Sequence, residues 1–141
     1  MNNHKLTVDK IKIGQSAEFL KIISEEEIKK FAQLTGDNNP IHLDDQYAKK
    51  TMFKKRIAHG LLTASLISTV IATKLPGPGS IYLDQSLKFL APVHIGDQIR
   101  IFVKVTKKNI EKRIVMLSTE AYVSEKKIIT GEARILLNDK S

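Results

Sequence analysis

Three short segments of the 141-residue chain hold residue types suited to proton transfer. Asp37 and His42 stand five residues apart in GDNNPIH, and His59-Gly60 opens a long apolar run. A turn calls for Asp, Asn and Pro but has no need of an imidazole. A carboxylate and an imidazole differ in proton affinity, so together they can hold one water, take one proton and return one. Gly60 offers something else. The N–H groups at a helix start are unpaired and carry partial positive charge, and without a side chain Gly60 lets an oxygen approach closely. That is the donor an oxyanion requires. Pro40 stiffens the turn, and Asn39 can hydrogen-bond local backbone or a ligand.

Each residue also has a structural explanation. Asp37 can cap the loop, His42 can be a satisfied structural histidine, His59 can hold the helix start, and Gly60 can serve a tight entry. Ser65 and Ser68 read as hydroxyls that bond helix carbonyls, with Ser68 kept as a supporting residue of the site. They lack the Gly-x-Ser-x-Gly elbow of a serine hydrolase. Asp44 and Asp45 read as helix caps, and with His42 they show no recognised metal spacing, so no metal is expected. His4 and His94 have no neighbours in sequence that suggest chemistry.

The elements around these residues follow from periodicity. Residues 6–23 suggest two short extended pieces, IKIG and AEFLKII. Ser24 with Glu27 has capping-box spacing, Ile28, Phe31 and Ala32 form a helical apolar face, and Gly36 ends the helix. Asp44 or Asp45 caps a further turn running to about Lys50. From Leu61 to Leu75 apolar and small residues occupy every face, which predicts a helix surrounded by protein. Pro76 to Gly79 stop it. The period then changes to two. Ile81, Leu83, Leu87 and Phe89 predict one apolar face, and Ile99, Ile101, Val103 and Val105 a second. A third and a fourth follow over 115–123 and 129–137, the latter with Gly131 inside it. Short connections imply antiparallel neighbours. The expected class is α+β, with a curved sheet around one central helix, and its open edges favour a homodimer.

Composition narrows the function. No cysteine occurs, which excludes disulfides, thiolate nucleophiles and zinc–sulfur sites. The longest apolar stretch is too short to span a bilayer and the start lacks a signal-peptide run, so a cytoplasmic protein without membrane association is expected. The formal net charge is +8. Basic residues are spread along the chain with neither a helix-turn-helix nor a basic aromatic strand, so nucleic acid is not the expected partner. One cluster, KKTMFKKR, lies between the two chemical segments. Its Lys54, Lys55 and Arg56 are candidates for holding phosphate, beside Lys49 and Lys50.

The stretch FAQLTGDNNPIHLDDQYAKKTMFKKRIAHGLLTASLIS resembles the MaoC-like, (R)-specific enoyl-CoA hydratases. Their motif has an Asp, then Asn-Pro, a His five residues after the Asp, and His-Gly at the start of the central helix. Asp37, Asn39, Pro40, His42, His59 and Gly60 stand at the matching places. The later LPGPGSIYLDQSLKFLAPVHIGDQI is similar to the family's first long strand and turn. The resemblance implies a single domain over 1–141 with the hot-dog fold, a long helix wrapped by an antiparallel sheet and usually dimeric. It implies reversible hydration of a trans-2-enoyl thioester to an (R)-3-hydroxyacyl thioester. Asp37 and His42 would hold the water, the Gly60 N–H would stabilise the thioester oxygen, and His59 would support the site. No metal or redox cofactor is implied. Coenzyme A enters as part of the substrate, and the carrier is coenzyme A or an acyl carrier protein. Two alternatives keep the fold. A thioesterase also places a carboxylate near a helix N-terminus but does not need the Asp-Asn-Pro-His loop. A non-catalytic acyl-CoA-binding protein has no use for the Asp37–His42 pair.

Overall fold

The computed structural model describes residues 7–138. The elements in chain order are β1 (Ser16–Ile22), α1 (Glu25–Thr35), α2 (Pro40–Leu43), α3 (Asp45–Lys49), α4 (Gly60–Thr73), β2 (Ser80–Gln85), β3 (Lys88–Phe89), β4 (Gln98–Asn109), β5 (Ile114–Val123) and β6 (Lys126–Leu137). Strand order is β1-β4-β5-β6-β2, with β3 also paired to β6, and every pairing is antiparallel. This is the hot-dog arrangement, an α+β sheet curled about α4. His4 lies outside the described residues.

The strands predicted from alternation form where both neighbours pair. Ile99, Ile101, Val103 and Val105 on β4 are fully buried, as are Val115, Leu117 and Ala121 on β5 and Ala133 and Ile135 on β6. Register aligns them: Ile101 faces Ala121, which faces Ile129. Leu66, Ile67, Val70 and Ile71 of α4 pack onto this floor in one continuous core. Each such aliphatic side chain contributes roughly 1.5–3 kcal/mol by leaving water.

Three expectations change. The IKIG piece is a turn, not a strand, with Gly14 at φ +93° and its N–H bonded to the Val105 carbonyl. The apolar alternation after Ser80 does not survive: Ile81 and Leu83 are 46% and 44% exposed. β2 is an edge strand with a bulge between Tyr82 and Asp84, so no single face stays against the core. And α4 is buried on one side only. Thr63, Leu66, Ile67, Val70 and Ile71 face the sheet, while Leu61, Ser65, Ser68 and Ala72 form an exposed stripe on the other side.

Gly131 marks where Ser86 and Leu87, linking β2 to β3, pass over β6. A Cβ there would lie 1.8 Å from the Ser86 carbonyl oxygen. The close approach lets the Ser86 N–H donate to the Glu132 carbonyl, and the Glu132 N–H donate to Ser86 Oγ. This crossing carries Phe89 over the start of α4, where a Cβ on Gly60 would meet its ring at 2.8 Å.

Candidate active site

The loop carrying Asp37 and His42 is built from its own side chains. Ser24 and Glu27 close the predicted capping box on α1, and Gly36 ends that helix at φ +80°. What reads as a turn after it is one turn of helix, α2. Asn39 is its N-cap, accepting the Ile41 N–H at 3.2 Å, and Pro40 occupies the first helical position, where a missing N–H costs nothing. His42 is thereby carried inward, to 8% exposure, while Asp37 stays exposed before the helix. Asp44 caps α3 by accepting the Gln46 and Tyr47 N–H groups.

The tautomer of His42 follows from its partner. Its Nδ1 lies 2.8 Å from the Ile57 carbonyl, which can only accept, so Nδ1 carries the hydrogen. In the neutral ring Nε2 is then the free acceptor. Burial pushes the His42 pKa below the ordinary histidine value. The neighbouring His59 adds to that, while the Ile57 carbonyl and the Asp37 carboxylate act the other way without overturning it. Neutral imidazole is the form held near pH 7.

His59 does not do what its position suggests. It is the N-cap of α4, yet its side chain makes no cap bond. Its ring, 2% exposed, stacks on His42 with centroids 3.9 Å apart and packs against Phe31 at 4.8 Å. Its Nε2–H donates to the Asp37 carbonyl at 2.9 Å. His59 thus ties the loop that carries Asp37, not the helix start, and one ring supports both Asp37 and His42.

Ligand-type atoms of Asp37, His42 and His59 lie within 4.8 Å of one another. One water bridges such a gap with two ordinary hydrogen bonds of about 2.8 Å. A shared metal ion suits the trio poorly. The two imidazoles are stacked, so their in-plane lone pairs run side by side, and His59 Nε2 already donates to a carbonyl.

His42 and Gly60 open into one cavity of about 440 Å³, walled by Met52, Phe53, Phe89, Leu90 and Val93 among others. Gly60 is the first residue of α4, so its N–H has no intrahelical partner. Ser68 is two turns along α4 on the exposed stripe, and in the single chain no hydrogen bond joins it to Asp37 or His42. Phe53 also lines a second basin of about 970 Å³ with Lys49, Lys54, Lys55, Arg56 and His94. Lys54 is held at φ +65°. Among the described residues the three lysines form no ion pair. Arg56 differs: only 10% of its side chain is exposed, and it binds Asp45 at 2.7 Å and Glu25 at 2.9 Å. It braces α1 to α3 and has little left for a phosphate. His94 closes a local turn, its N–H donating to Asp97.

Sequence reasoning missed two cavity residues. Phe89 was assigned to a core face but is 52% exposed over Gly60. Thr63, inside the apolar run, is buried at 1% with a hydroxyl that meets no partner among the described residues. The residue before it on that face, His59, sits one turn away, which is the only signal the sequence holds.

Known proteins resemble this chain in sequence and in fold. The chain is 51% identical over 127 residues to an (R)-specific enoyl-CoA hydratase of Rhodospirillum rubrum, covering 90% of this chain and 88% of that one. It is 42% identical over 135 residues to a 3-hydroxybutyryl-CoA dehydratase of Methylorubrum extorquens, covering 96% and 86%. The solved structure of an unliganded R-hydratase from Pseudomonas aeruginosa superposes with a TM-score of 0.90 at 42% identity, covering 96% of this chain and 88% of that one. The sequence model of the MaoC like domain matches residues 7–127, from the turn before β1 to the start of β6, and so takes in the loop, the helix and most of the sheet: the chain belongs to the MaoC-like domain family.

Proposed function

We infer that this protein hydrates trans-2-enoyl-CoA to (R)-3-hydroxyacyl-CoA and runs the reverse dehydration, as a hydro-lyase. The observation that carries the reading is that Asp37 lies close to a neutral, buried His42, and that His42 lines the same cavity as Gly60. Relatives named for (R)-specific hydration and for 3-hydroxybutyryl-CoA dehydration support it.

The roles we propose follow from the donors and acceptors. The Asp37 carboxylate and His42 Nε2 are both acceptors, so a water between them gives one hydrogen to each. Its lone pair is then turned toward C3 of the enoyl group. As oxygen adds to C3, negative charge moves to the thioester oxygen, where the Gly60 N–H and the α4 dipole stabilise it. Losing one such donor typically costs about 3 kcal/mol. The proton taken from water returns to C2 on the same face. Nothing in this scheme requires a metal or redox cofactor. Lys49, Lys54 and Lys55 give the neighbouring basin the charge to receive the phosphates of coenzyme A or the acidic surface of an acyl carrier protein.

A second copy of the chain is part of the proposal. The Leu61, Ser65, Ser68 and Ala72 stripe and the open β2 edge with Ile81 and Leu83 are apolar or small where a lone chain would carry charge. Light scattering reads the dimer directly. No helix among the described residues is long and apolar enough to cross a membrane. The cytoplasm is the compartment we propose, in keeping with a cysteine-free chain.

The test is crotonyl-CoA in a cuvette with a thiol reagent alongside. Loss of enoyl absorbance without thiol release, with (R)-3-hydroxybutyryl-CoA on chiral analysis, is the expected result. Thiol release would make the protein a thioesterase. Binding without either change would make it a carrier of acyl-CoA.

A further inference from the structure

Two cavities lie beside the loop that carries the Asp37–His42 pair. The mainly apolar one, about 440 Å³, is lined by His42 and Gly60. The charged one, about 970 Å³, is lined by Lys49, Lys54 and Lys55. Its two carboxylates are already engaged: Asp45 accepts from Arg56, and Asp97 accepts the His94 N–H. Among the described residues Phe53 alone lines both cavities. The chain steps from one to the other at this ring. Met52 lines only the apolar cavity, and Lys54, held at φ +65°, lines only the charged basin. A turn built on Thr51 fixes the backbone of Phe53 here. The Thr51 hydroxyl donates to the Ala48 carbonyl at 2.7 Å and accepts the Phe53 N–H at 3.2 Å, while the Thr51 carbonyl accepts the Lys54 N–H at 3.2 Å.

We propose that Phe53 is a specificity-determining residue for carrier-borne thioesters: its ring is the ridge along which the arm joining phosphate to thioester passes from the charged basin into the catalytic cavity. This rests on the hydratase reading above. A substrate whose thioester oxygen lies at the Gly60 N–H and whose phosphates lie among the lysines occupies both cavities. Its linking arm crosses where the two meet, at Phe53. That arm is a chain of methylenes and amides, and a half-buried aromatic ring offers it a large, rigid apolar surface. The lysines act on the phosphates and the ring acts on the arm, so the two contributions separate by substrate. Truncating a ring that a ligand covers corresponds to roughly tenfold in affinity.

The experiment compares wild type with Phe53→Ala and with Phe53→Leu, which keeps apolar bulk. The substrates are crotonyl-CoA, crotonyl-pantetheine, which has the arm without the nucleotide, and the S-ethyl ester of thiocrotonic acid, which has neither. Phe53→Ala raises KM about tenfold for the two arm-bearing esters, with kcat moving far less, and lowers kcat/KM for the S-ethyl ester at most twofold. Phe53→Leu stays within threefold of wild type on all three. Equal losses on all three esters, as a merely structural role would give, overturn the proposal. So does an unchanged KM for the arm-bearing esters, or a loss confined to crotonyl-CoA. Should Phe53→Ala fail to fold, Phe53→Trp decides, because the chain has no other tryptophan and its emission reports on this position alone. Saturating butyryl-pantetheine then shifts the emission more than saturating S-ethyl thiobutyrate does, and equal shifts overturn the proposal. If wild type binds butyryl-CoA but hydrates nothing, the hydratase reading falls, and calorimetric affinities of wild type and variant for butyryl-CoA and butyryl-pantetheine still decide the role of the ring. If wild type binds neither, both fall.

Discussion

Replacing His59 by Phe separates its two jobs. The substitution keeps an aromatic ring between Phe31 and His42, so the 3.9 Å stack and the 4.8 Å contact are largely retained. It deletes the single hydrogen bond from Nε2–H to the Asp37 carbonyl. Asp37 is exposed, so water takes up most of that carbonyl's need, and the stability loss should be no more than about 1 kcal/mol. Catalysis should suffer more. The lost bond ties the loop to α4 across 22 residues of sequence, and a shift of Asp37 on the order of 1 Å costs roughly 100-fold in turnover. Steady-state kinetics on crotonyl-CoA, read beside a thermal melt, should show kcat falling far more than KM changes. His59→Gln, which restores an N–H donor without the ring, should recover part of kcat. A His59→Phe enzyme with kcat within about twofold of wild type would refute the claim that this bond positions Asp37. Equal losses in Phe and Gln variants would point to the imidazole itself.

Acidification should switch the enzyme off late. His42 must be neutral to accept from water, and burial holds its pKa below the ordinary 6.5, so the acid limb of kcat/KM should have its midpoint below that value. The same shift makes the unfolded chain bind more protons between the two pKa values, so stability from this group is full above 6.5 and declines as pH falls through that window; pH-dependent melts check it. Gly131→Ala should lower Tm sharply or abolish folding, since its Cβ would stand 1.8 Å from a backbone oxygen that cannot swing aside; a melt within a degree or two of wild type would contradict this. Converting Lys49, Lys54 and Lys55 to Gln should raise KM for CoA esters several-fold at low salt with kcat retained, whereas Arg56→Gln should mainly lower Tm, because its ion pairs to Glu25 and Asp45 hold α1 to α3.

Which features the sequence reveals follows from where each residue's partners lie. β4, β5 and β6 alternate cleanly because each has one face on the core and neighbours on both sides. β2 has the same alternation but lies at an edge with a bulge, so burial does not follow pattern. The capping box and the Gly36 stop are local in sequence and could be read directly, whereas Asn39-Pro40 reads as a turn and heads the single turn of helix α2. Asp37 with His42 is also local, so their proximity was legible from spacing. The hydrogen bond from His59 to Asp37, the ion pairs of Arg56, and the crossing of Ser86 over Gly131 join residues far apart in the chain. Only tertiary packing reveals them. Small and apolar residues on α4 read as all-round burial, yet one stripe faces outward in the single chain, because periodicity reports what a face avoids and not what covers it.

The central claim is that Asp37 and His42 act on one water. A double-mutant cycle tests it most directly: wild type, Asp37→Asn, His42→Gln and the double variant, each hydrating crotonyl-CoA, with folding checked by melting. The account predicts that either single change removes most of the turnover and that the double is little worse than either, since groups serving one proton transfer are not additive. Near wild-type turnover in a single variant, or losses that simply multiply in the double, would contradict it.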